Sequence, residues 1–600
     1  MSRRSDVDGP ALEGLMRGRR RCAWGVGLAV VVAACSSTPP VAVERADRSV
    51  GELTADTGPG LPDVGAERPP TADQEDPDPP VVEAPESTLE WGDCTPFEIP
   101  SPDVLGTSGW ECATLGVPMD PFGVDATETD IGAESVDLAL TRHPATGDRR
   151  GSILVNPGGP GGDGLTTAWG LRSELSTELL RGFDLVSWDP RGIGQSTPKI
   201  DCDDAVAPGD PDFIARCVDL TGPVSAYLAA PYSAADMEAI RVALGEDELN
   251  YLGYSYGTLL GATYAAEHPD RVGAFVLDGA TDPLVGSPDG PREGGFPTLA
   301  DDGLDASRER FTELCDASDR CLLGRNSSIV LDVVESSVQF LPTPNFDRNP
   351  ETMSVGAFQE VVDLALTYAG DWELLATALS DADRGDASAL ASLSAGPVDE
   401  TSEPGSGESD FTEANFMIYC ADFASLLDPL TFCDAMPENA ETLQPVQPVD
   451  VEQPLLVIGT EYDPLTPGYH APAFAEALGD ATSIIWEGVG HTAFPGWTPC
   501  IDDVVDGQFL GRPLPAAGTR CSFLFGVDDD ETLGDELFGQ GDVESERILE
   551  QRFGDEVDAS DARCLAREIN RESDRVISHV ILDVTSDDAE AAFTEASANC

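Results

Sequence analysis

Short β-type runs recur between residues 91 and 524, and four of them predict β-strands that each lead into a polar or glycine-rich loop. These runs cover residues 152–155, 250–252, 454–459 and 483–486. Around residue 255 the order is helix, strand, tight turn and helix, which is typical of a parallel sheet covered by helices. The pattern therefore predicts an α/β fold.

Two helical patterns extend this prediction. Residues 233–236 (Ser-Ala-Ala-Asp) have the form of an N-terminal capping box, which predicts a helix from there to about Leu244. In the long stretch between Pro283 and Pro454, apolar side chains fall on one helical face: Phe358, Val361, Val362, Ala365 and Leu366. We expect this stretch to be a largely helical insertion.

The first 35 residues have the layout of a signal peptide. Arginines at 17, 19, 20 and 21 precede an apolar run at residues 23–34, which is shorter than the roughly 20 residues of a spanning helix. The run ends Val-Ala-Ala-Cys, resembling a bacterial lipobox in which Cys35 is acylated. The alternatives are an ordinary signal peptide with an incidental cysteine, or an uncleaved anchor. We expect an extracellular protein held at the cell membrane by lipid alone.

Acidic segments flank the predicted core. Residues 36–90 are rich in Pro, Asp and Glu and poor in aromatic residues, so they predict a disordered tether. Residues 525–600 predict an acidic accessory module. Its run at residues 528–531 is expected to be a solvated loop, because Leu533 stands where a calcium-binding EF-hand would require glycine.

The charge balance limits the possible partners. The chain has 110 Asp and Glu against 34 Lys and Arg, a formal net charge of −76. So few cations argue against binding nucleic acid, and the excess favours cationic substrates such as free peptide N-termini. Residues 91–524 alone hold 72 acids against 19 bases, a net −53. Salt adaptation would produce the same excess, and the oligomeric state is left open.

The cysteines predict disulfide bonds, as expected for an exported protein. Of fourteen cysteines, Cys22 and Cys35 lie in the signal region. The other twelve form close neighbours in sequence, and a metal site is disfavoured because Cys-x-x-Cys pairs and clustered histidines are missing. The simplest pairing is Cys94/Cys112, Cys202/Cys217, Cys315/Cys321, Cys420/Cys433, Cys500/Cys521 and Cys564/Cys600.

A nucleophile motif lies at residues 253–257 (Gly-Tyr-Ser-Tyr-Gly), between a predicted strand and a predicted helix. The G-x-S-x-G form is common by chance, but this context is the one in which a strained turn exposes a nucleophilic serine. We predict Ser255 as the nucleophile, with the Tyr256 N–H as one donor of an oxyanion hole.

The second donor is expected from the glycine-rich loop at residues 156–162 (Asn-Pro-Gly-Gly-Pro-Gly-Gly). This loop lacks the Lys-Ser/Thr ending of a P-loop and the spacing of a dinucleotide fingerprint. Pro160 has no N–H, so Gly158 or Gly159 supplies the donor, and Gly159 is preferred. A purely structural turn is the alternative.

The remaining catalytic candidates lie late in the chain. Two carboxylates, Glu461 and Asp463, follow the strand at residues 454–459, and His491 follows the strand at 483–486. His491 alone among five histidines comes after a strand and glycines late in the core. The order serine, acid, histidine is that of α/β hydrolases. We therefore predict a serine hydrolase that needs no cofactor or metal.

These segments resemble the secreted tripeptidyl aminopeptidase family of α/β hydrolases, which is related to the proline iminopeptidases. The resemblance implies an α/β-hydrolase fold with a helical cap domain inserted before the last strands, and it favours Asp463 over Glu461. By family pattern alone, Asp422 is a candidate for binding a substrate ammonium, with a structural acid as the alternative. The chain departs from many relatives at Asp163, where they have serine. The matching stretches are residues 91–94, 117–120, 156–162, 188–196, 253–258, 277–279, 419–422, 463–467 and 490–492, with Cys500 and Cys521.

The expected organisation follows from the patterns and the resemblance together. In chain order it is a lipoprotein signal peptide (1–35), the tether (36–90), the first part of the core (91–283), the cap (284–449), the second part of the core with the triad acid and histidine (450–524), and the accessory module (525–600).

Three functions are compatible with the sequence. The resemblance implies an aminopeptidase that releases short N-terminal peptides. The same catalytic residues would serve a carboxylesterase acting on lipid or small esters, because a fold does not specify a substrate. A non-catalytic surface-binding lipoprotein is disfavoured by the intact serine, acid and histidine. Dehalogenase and epoxide-hydrolase chemistry is disfavoured because those enzymes use an aspartate nucleophile, whereas here Ser255 stands at the turn.

Overall fold

The computed structural model describes the central part of the chain. The described residues are 89–94, 97, 109–123, 135–202, 212–284, 301–341, 353–394, 408–423, 433–437, 441–495, 498–523 and 530–538. Cys35, residues 36–88 of the tether and the Cys564/Cys600 pair lie outside them.

Nine strands form one mostly parallel sheet, which confirms the α/β prediction. The strands are β1 (Glu111–Pro118), β2 (Ser135–His143), β3 (Gly151–Asn156), β4 (Phe183–Trp188), β5 (Leu249–Tyr254), β6 (Val272–Asp278), β7 (Leu455–Tyr462), β8 (Ala481–Val489) and β9 (Thr519–Cys521). Their order across the sheet is β1-β2-β4-β3-β5-β6-β7-β8-β9. The pairs β1–β2 and β2–β4 are antiparallel, and every later pair is parallel. Strands β3, β4 and β6 are buried along their whole length, as expected for a sheet covered on both faces.

Fourteen α-helices connect these strands within the described residues. They are α1 (Gly164–Arg172), α2 (Thr177–Gly182), α3 (Phe213–Thr221), α4 (Ala230–Leu244), α5 (Tyr256–Glu267), α6 (Asp301–Ala317), α7 (Ser327–Ser337), α8 (Val355–Thr367), α9 (Trp372–Asp383), α10 (Ser388–Ser394), α11 (Glu408–Phe423), α12 (His470–Leu478), α13 (Pro499–Phe509) and α14 (Asp530–Leu537). Among the described helices, none is long and apolar enough to cross a membrane.

The segment between β6 and β7 is helical, as the sequence predicts. It contains α6 to α11, and the apolar stripe of α8 is buried: Phe358, Val361, Val362, Ala365 and Leu366 are each at most 4% exposed. Because β6 and β7 are hydrogen-bonded neighbours, the chain leaves the sheet for this insertion and returns beside the strand it left.

Helix α4 begins earlier than predicted. Its first residue is Ala230, and Pro231 stands in the first turn, where a proline costs no hydrogen bond. Ser233 and Asp236 therefore lie inside the helix and do not cap it. The Asp236 carboxylate instead forms a buried ion pair with Arg191, with Nη2 and Oδ1 2.7 Å apart.

The acidic run near residue 530 is also partly helical, and the expectation of a solvated loop is wrong there. Asp530 is the first residue of α14 and lies 2.9 Å from Arg310 of α6. Leu537 and Phe538 are buried, and the Phe538 ring meets Phe311 with centroids 5.7 Å apart. These apolar side chains pack the end of α14 against helix α6 of the insertion.

Five of the predicted disulfides are present in the described residues. All have the predicted partners, which lie 6 to 21 residues apart in sequence: Cys94–Cys112, Cys202–Cys217, Cys315–Cys321, Cys420–Cys433 and Cys500–Cys521.

Candidate active site

The carboxyl ends of the parallel strands meet at one edge of the sheet, which is where open α/β folds bind ligands. The register places Asn156 of β3 opposite Gly253 of β5, and Tyr254 of β5 opposite Asp278 of β6. The loops after β3, β5, β6, β7 and β8 therefore leave the sheet at the same edge. These loops carry every predicted triad and oxyanion-hole residue.

Ser255 occupies a strained turn between β5 and α5. Its φ is +53° and its ψ is −121°, a conformation that non-glycine residues rarely adopt. The Ser255 N–H donates to the Asp278 carbonyl oxygen at 2.8 Å, so the neighbouring strand holds the turn. This is the geometry that the G-x-S-x-G motif predicts.

The glycine-rich loop lies directly against this turn. A Cβ at Gly158 would overlap the Tyr254 carbonyl oxygen and lie 3.1 Å from both the Ser255 Cβ and the Tyr256 nitrogen, so only glycine fits. The Gly158 N–H donates to Asn156 Oδ1 at 3.0 Å. Because that donor is engaged, Gly159 is the stronger candidate of the two glycines for the oxyanion hole.

Asp463, which is buried, and His491, whose side chain is 12% exposed, form a hydrogen-bonded pair. His491 Nδ1 lies 3.0 Å from Asp463 Oδ1 and 2.9 Å from Oδ2. The Asp463 carboxylate also accepts the N–H groups of Leu465, Thr466 and Thr492 and the Thr466 hydroxyl, at 2.8 to 3.2 Å. These four donors fix the carboxylate in place. Asp463 is therefore able to orient the imidazole.

Glu461 has a different role. Its carboxylate lies 2.7 Å from Arg520 Nη2, and both side chains are partly exposed. Asp463, two positions later along the chain, contacts His491 instead. Of the two carboxylates that the sequence left open, Asp463 is the one beside His491.

The histidine loop reaches the serine turn through Gly279. This residue follows Asp278 and has φ +71°. A Cβ at Gly279 would lie 3.2 Å from His491 Cε1 and 3.0 Å from Thr492 Cγ2. Because the Asp278 carbonyl also accepts the Ser255 N–H, one short segment after β6 contacts both the serine turn and the histidine loop.

Sequence reasoning missed the side chain of Asp278. This carboxylate is fully buried and accepts the N–H groups of Ala493 at 3.0 Å and Phe494 at 2.7 Å, just beyond His491. The only signal in the sequence was an acidic residue at the end of β6, the strand next to β5, which leads to Ser255. Asp278 is thus a second buried acid next to the Asp463–His491 pair.

The electrostatics follow from burial and these neighbours. Burial lowers the pKa of His491, but the charge and hydrogen bond of Asp463 and the charge of Asp278 outweigh it, so the net pKa is raised. Burial raises the pKa of Asp278 to about 7, although the N–H groups of Phe494 and Ala493 and the nearby His491 oppose this. The neighbouring carboxylates therefore stabilise the imidazolium form of His491.

Asp422, the ammonium-binding candidate, is also buried. One oxygen accepts the Ala230 N–H at 2.8 Å and the other accepts the Tyr256 hydroxyl at 2.6 Å. Burial raises its pKa to about 7, with the two hydrogen bonds opposing. Asp422 is thus bound to the residue that follows the nucleophile.

Charged residues in the segment 188–196 bind other parts of the fold, namely the start of α1 and Asp236. Asp189 accepts the N–H groups of Gly164 and Leu165 at the start of α1, and Arg191 pairs with Asp236. Asp163 caps the same helix through the Thr166 N–H at 3.1 Å. Across the described residues, no group of three or more His, Cys, Asp or Glu side chains could hold a metal ion.

The fold and this arrangement define the class of protein, an α/β-hydrolase enzyme. Consistent with that, the family profile described as alpha/beta hydrolase fold matches residues 151–495. The chain belongs to the α/β hydrolase family.

Three curated relatives narrow the class to a serine hydrolase. Serine protease Hip1 of Mycobacterium tuberculosis is 30% identical over 493 residues, covering 72% of this chain and 91% of the relative. Carboxylesterase B of the same organism is 30% identical over 522 residues, covering 77% and 94%. Tripeptidyl aminopeptidase of Streptomyces lividans is 33% identical over 225 residues, covering 32% and 38%. The chain is therefore a serine hydrolase with aminopeptidase-like relatives, as the sequence predicts.

Proposed function

We propose that this serine hydrolase is an exported aminopeptidase that releases short peptides from free N-termini. The observation that carries the proposal is the hydrogen-bonded Asp463–His491 pair, which shares one sheet edge with the strained Ser255 turn. The relatives named tripeptidyl aminopeptidase and serine protease support a peptide substrate, and so does the net charge of −53 on residues 91–524.

The mechanism follows the three side chains in turn. His491 Nε2 takes the proton of the Ser255 hydroxyl as its oxygen attacks the substrate carbonyl carbon. Asp463 holds the Nδ1–H and stabilises the imidazolium. The N–H groups of Gly159 and Tyr256 stabilise the oxyanion, each typically worth about 3–4 kcal/mol of the barrier. The imidazolium then protonates the leaving amine, and water releases the acyl group from Ser255 with His491 again as base.

A carboxylesterase is the second candidate, favoured by the relative named carboxylesterase B, which aligns over 77% of this chain. The same residues would attack an ester, so only the substrate distinguishes the two proposals.

Two measurements test the proposed function. We expect a fluorophosphonate to label the mature protein and Ser255→Ala to remain unlabelled; labelling of that variant would refute the nucleophile. The substrate test compares free-amine tripeptidyl anilides, their N-acetylated forms and short-chain esters. A requirement for the free amine supports the aminopeptidase, whereas activity confined to esters supports the carboxylesterase.

The proposed location depends on Cys35. With the cysteine acylated, we expect the protein in the membrane fraction and Cys35→Ser in a soluble fraction. Equal membrane association of both proteins would contradict a lipid anchor on this residue. We expect the lipid on Cys35 to be the only attachment of the protein to the membrane.

A further inference from the structure

Helix α11 belongs to the insertion, yet it contacts both segments that carry the oxyanion-hole donors. Its first contact is with the glycine-rich loop. The Asn415 side-chain amide donates to the Pro160 carbonyl oxygen at 2.9 Å. A Cβ at Gly161 would lie 3.0 Å from the backbone nitrogen of Asn415, and a Cβ at Gly159 would lie 3.3 Å from the Phe411 ring. The helix therefore packs directly against the loop and holds its conformation from outside the sheet.

The second contact is with the serine turn. Asp422 accepts the Tyr256 hydroxyl at 2.6 Å and the Ala230 N–H at 2.8 Å. Tyr256 is the first residue of α5 and follows Ser255 directly. Its side chain is therefore tied to α11 while its backbone N–H stands at the predicted oxyanion hole.

One face of the helix makes both contacts. Phe411, Asn415 and Asp422 are separated by four and seven residues, which places their side chains along one side of an α-helix. The residues they hold, Gly159 and Tyr256, are 97 positions apart in sequence, so no local interaction sets their relative position.

We propose that α11 positions the oxyanion hole, with Asn415 and Asp422 as positioning residues that act through the glycine-rich loop and Tyr256. The proposal rests on the proposed use of the Gly159 and Tyr256 donors. It follows that Asp422 should contribute to kcat for every substrate of the enzyme. A carboxylate that bound the substrate ammonium would serve free-amine substrates alone.

The test uses the mature protein and the variants Asn415→Ala, Asp422→Ala and Tyr256→Phe. Each is assayed with a free-amine tripeptidyl anilide, its N-acetylated form and a short-chain ester. We expect kcat to fall roughly 10- to 100-fold on every substrate that the wild type hydrolyses, with KM little changed, because small displacements of catalytic groups cost rates of this order. The rate of fluorophosphonate labelling should fall as well.

The matched control is Ser380→Ala. It removes another hydrogen bond inside the insertion, from the Ser380 hydroxyl to the Leu322 carbonyl at 3.2 Å, and should leave kcat unchanged. The double variant Tyr256→Phe with Asp422→Ala should be no slower than the worse single variant, since both remove the same link. Tyr256→Phe, which deletes only one hydroxyl, tests the link even where Asp422→Ala does not fold.

Two results would overturn the proposal. One is a rise in KM confined to free-amine substrates in Asp422→Ala, which would assign Asp422 to ammonium binding. The other is wild-type kcat in both Asn415→Ala and Tyr256→Phe. Failure of the proposed function has a different signature, because a wild type that hydrolyses only esters still reports the kcat effect on esters.

Discussion

Asp278 contacts both the serine turn and the histidine loop, one through its backbone and the other through its side chain. Its carbonyl oxygen accepts the Ser255 N–H, and its carboxylate accepts the N–H groups of Ala493 and Phe494 beyond His491. The titratable groups that face it are His491, Asp463 and Tyr254. Its charge raises the pKa of His491 together with Asp463. We therefore expect Asp278 to influence both the position and the protonation of the histidine.

Asp278→Asn should move the acidic limb of the kcat/KM profile to lower pH. In the proposed mechanism the His491 imidazole must be neutral to accept the serine proton. Asp278, with a pKa of about 7, carries part of its negative charge where the imidazole titrates, so removing that charge lowers the pKa of His491 and the neutral form persists in more acidic solution. The profile is measured with an ester or anilide that the wild type hydrolyses. Asp363→Asn, which breaks an ion pair with Arg308 in the insertion, is the control. An unmoved or more alkaline limb would contradict this role.

At the scale of elements, the disulfides secure short segments at the margins of the fold. Cys500–Cys521 links α13 to β9, which has only three residues. Cys315–Cys321 links the last turn of α6 to the loop that follows it, six positions along the chain. Because a crosslink restricts the unfolded chain more when it closes a longer loop, the two bonds should differ in their contribution to stability.

Replacing Cys500 and Cys521 with serine should therefore destabilise the protein more than replacing Cys315 and Cys321. Chain entropy predicts a difference of about 1 kcal/mol in the free energy of unfolding. Chemical denaturation of the two double variants measures it, with the wild type as reference. Equal losses, or a larger loss for the shorter loop, would show that packing around the bonds outweighs chain entropy.

For the whole molecule, buried acids and net charge act in the same direction. Burial raises the pKa values of Asp278 and Asp422 to about 7. In the unfolded chain these groups ionise near pH 4. Between pH 4 and 7 the folded state therefore binds more protons than the unfolded state, so stability falls as the pH rises through this window. Repulsion among the excess acids adds to the effect.

We expect the melting temperature to decrease as the pH is raised from about 5 to 8. Asp422→Asn should flatten this dependence, because it removes one of the buried carboxyl groups that ionise on unfolding. Scanning calorimetry of both proteins across this range provides the measurement. Added salt should reduce the part due to net charge and preserve the part due to burial. A dependence of the same slope in Asp422→Asn would contradict this contribution of Asp422.

Local signals in the sequence predicted a large part of this protein. Strands β3, β5, β7 and β8, the serine turn, the buried stripe of α8 and five disulfides all depend on neighbours within a few to about twenty residues. Hydrophobic periodicity and turn chemistry report such neighbours directly. The start of α4 was missed because a capping box and a first-turn proline competed in the same segment.

Only the tertiary structure decided which distant residues meet. Asp463 lies beside His491 while Glu461 pairs with Arg520, although the two carboxylates are only two positions apart at the end of β7. The Asp278 carboxylate finds its donors 215 and 216 residues along the chain, and the α11 contacts with the loop and Tyr256 span 255 and 166 residues. Such contacts have no local pattern, because parallel strands and an inserted helix bring the residues together only when the sheet has formed.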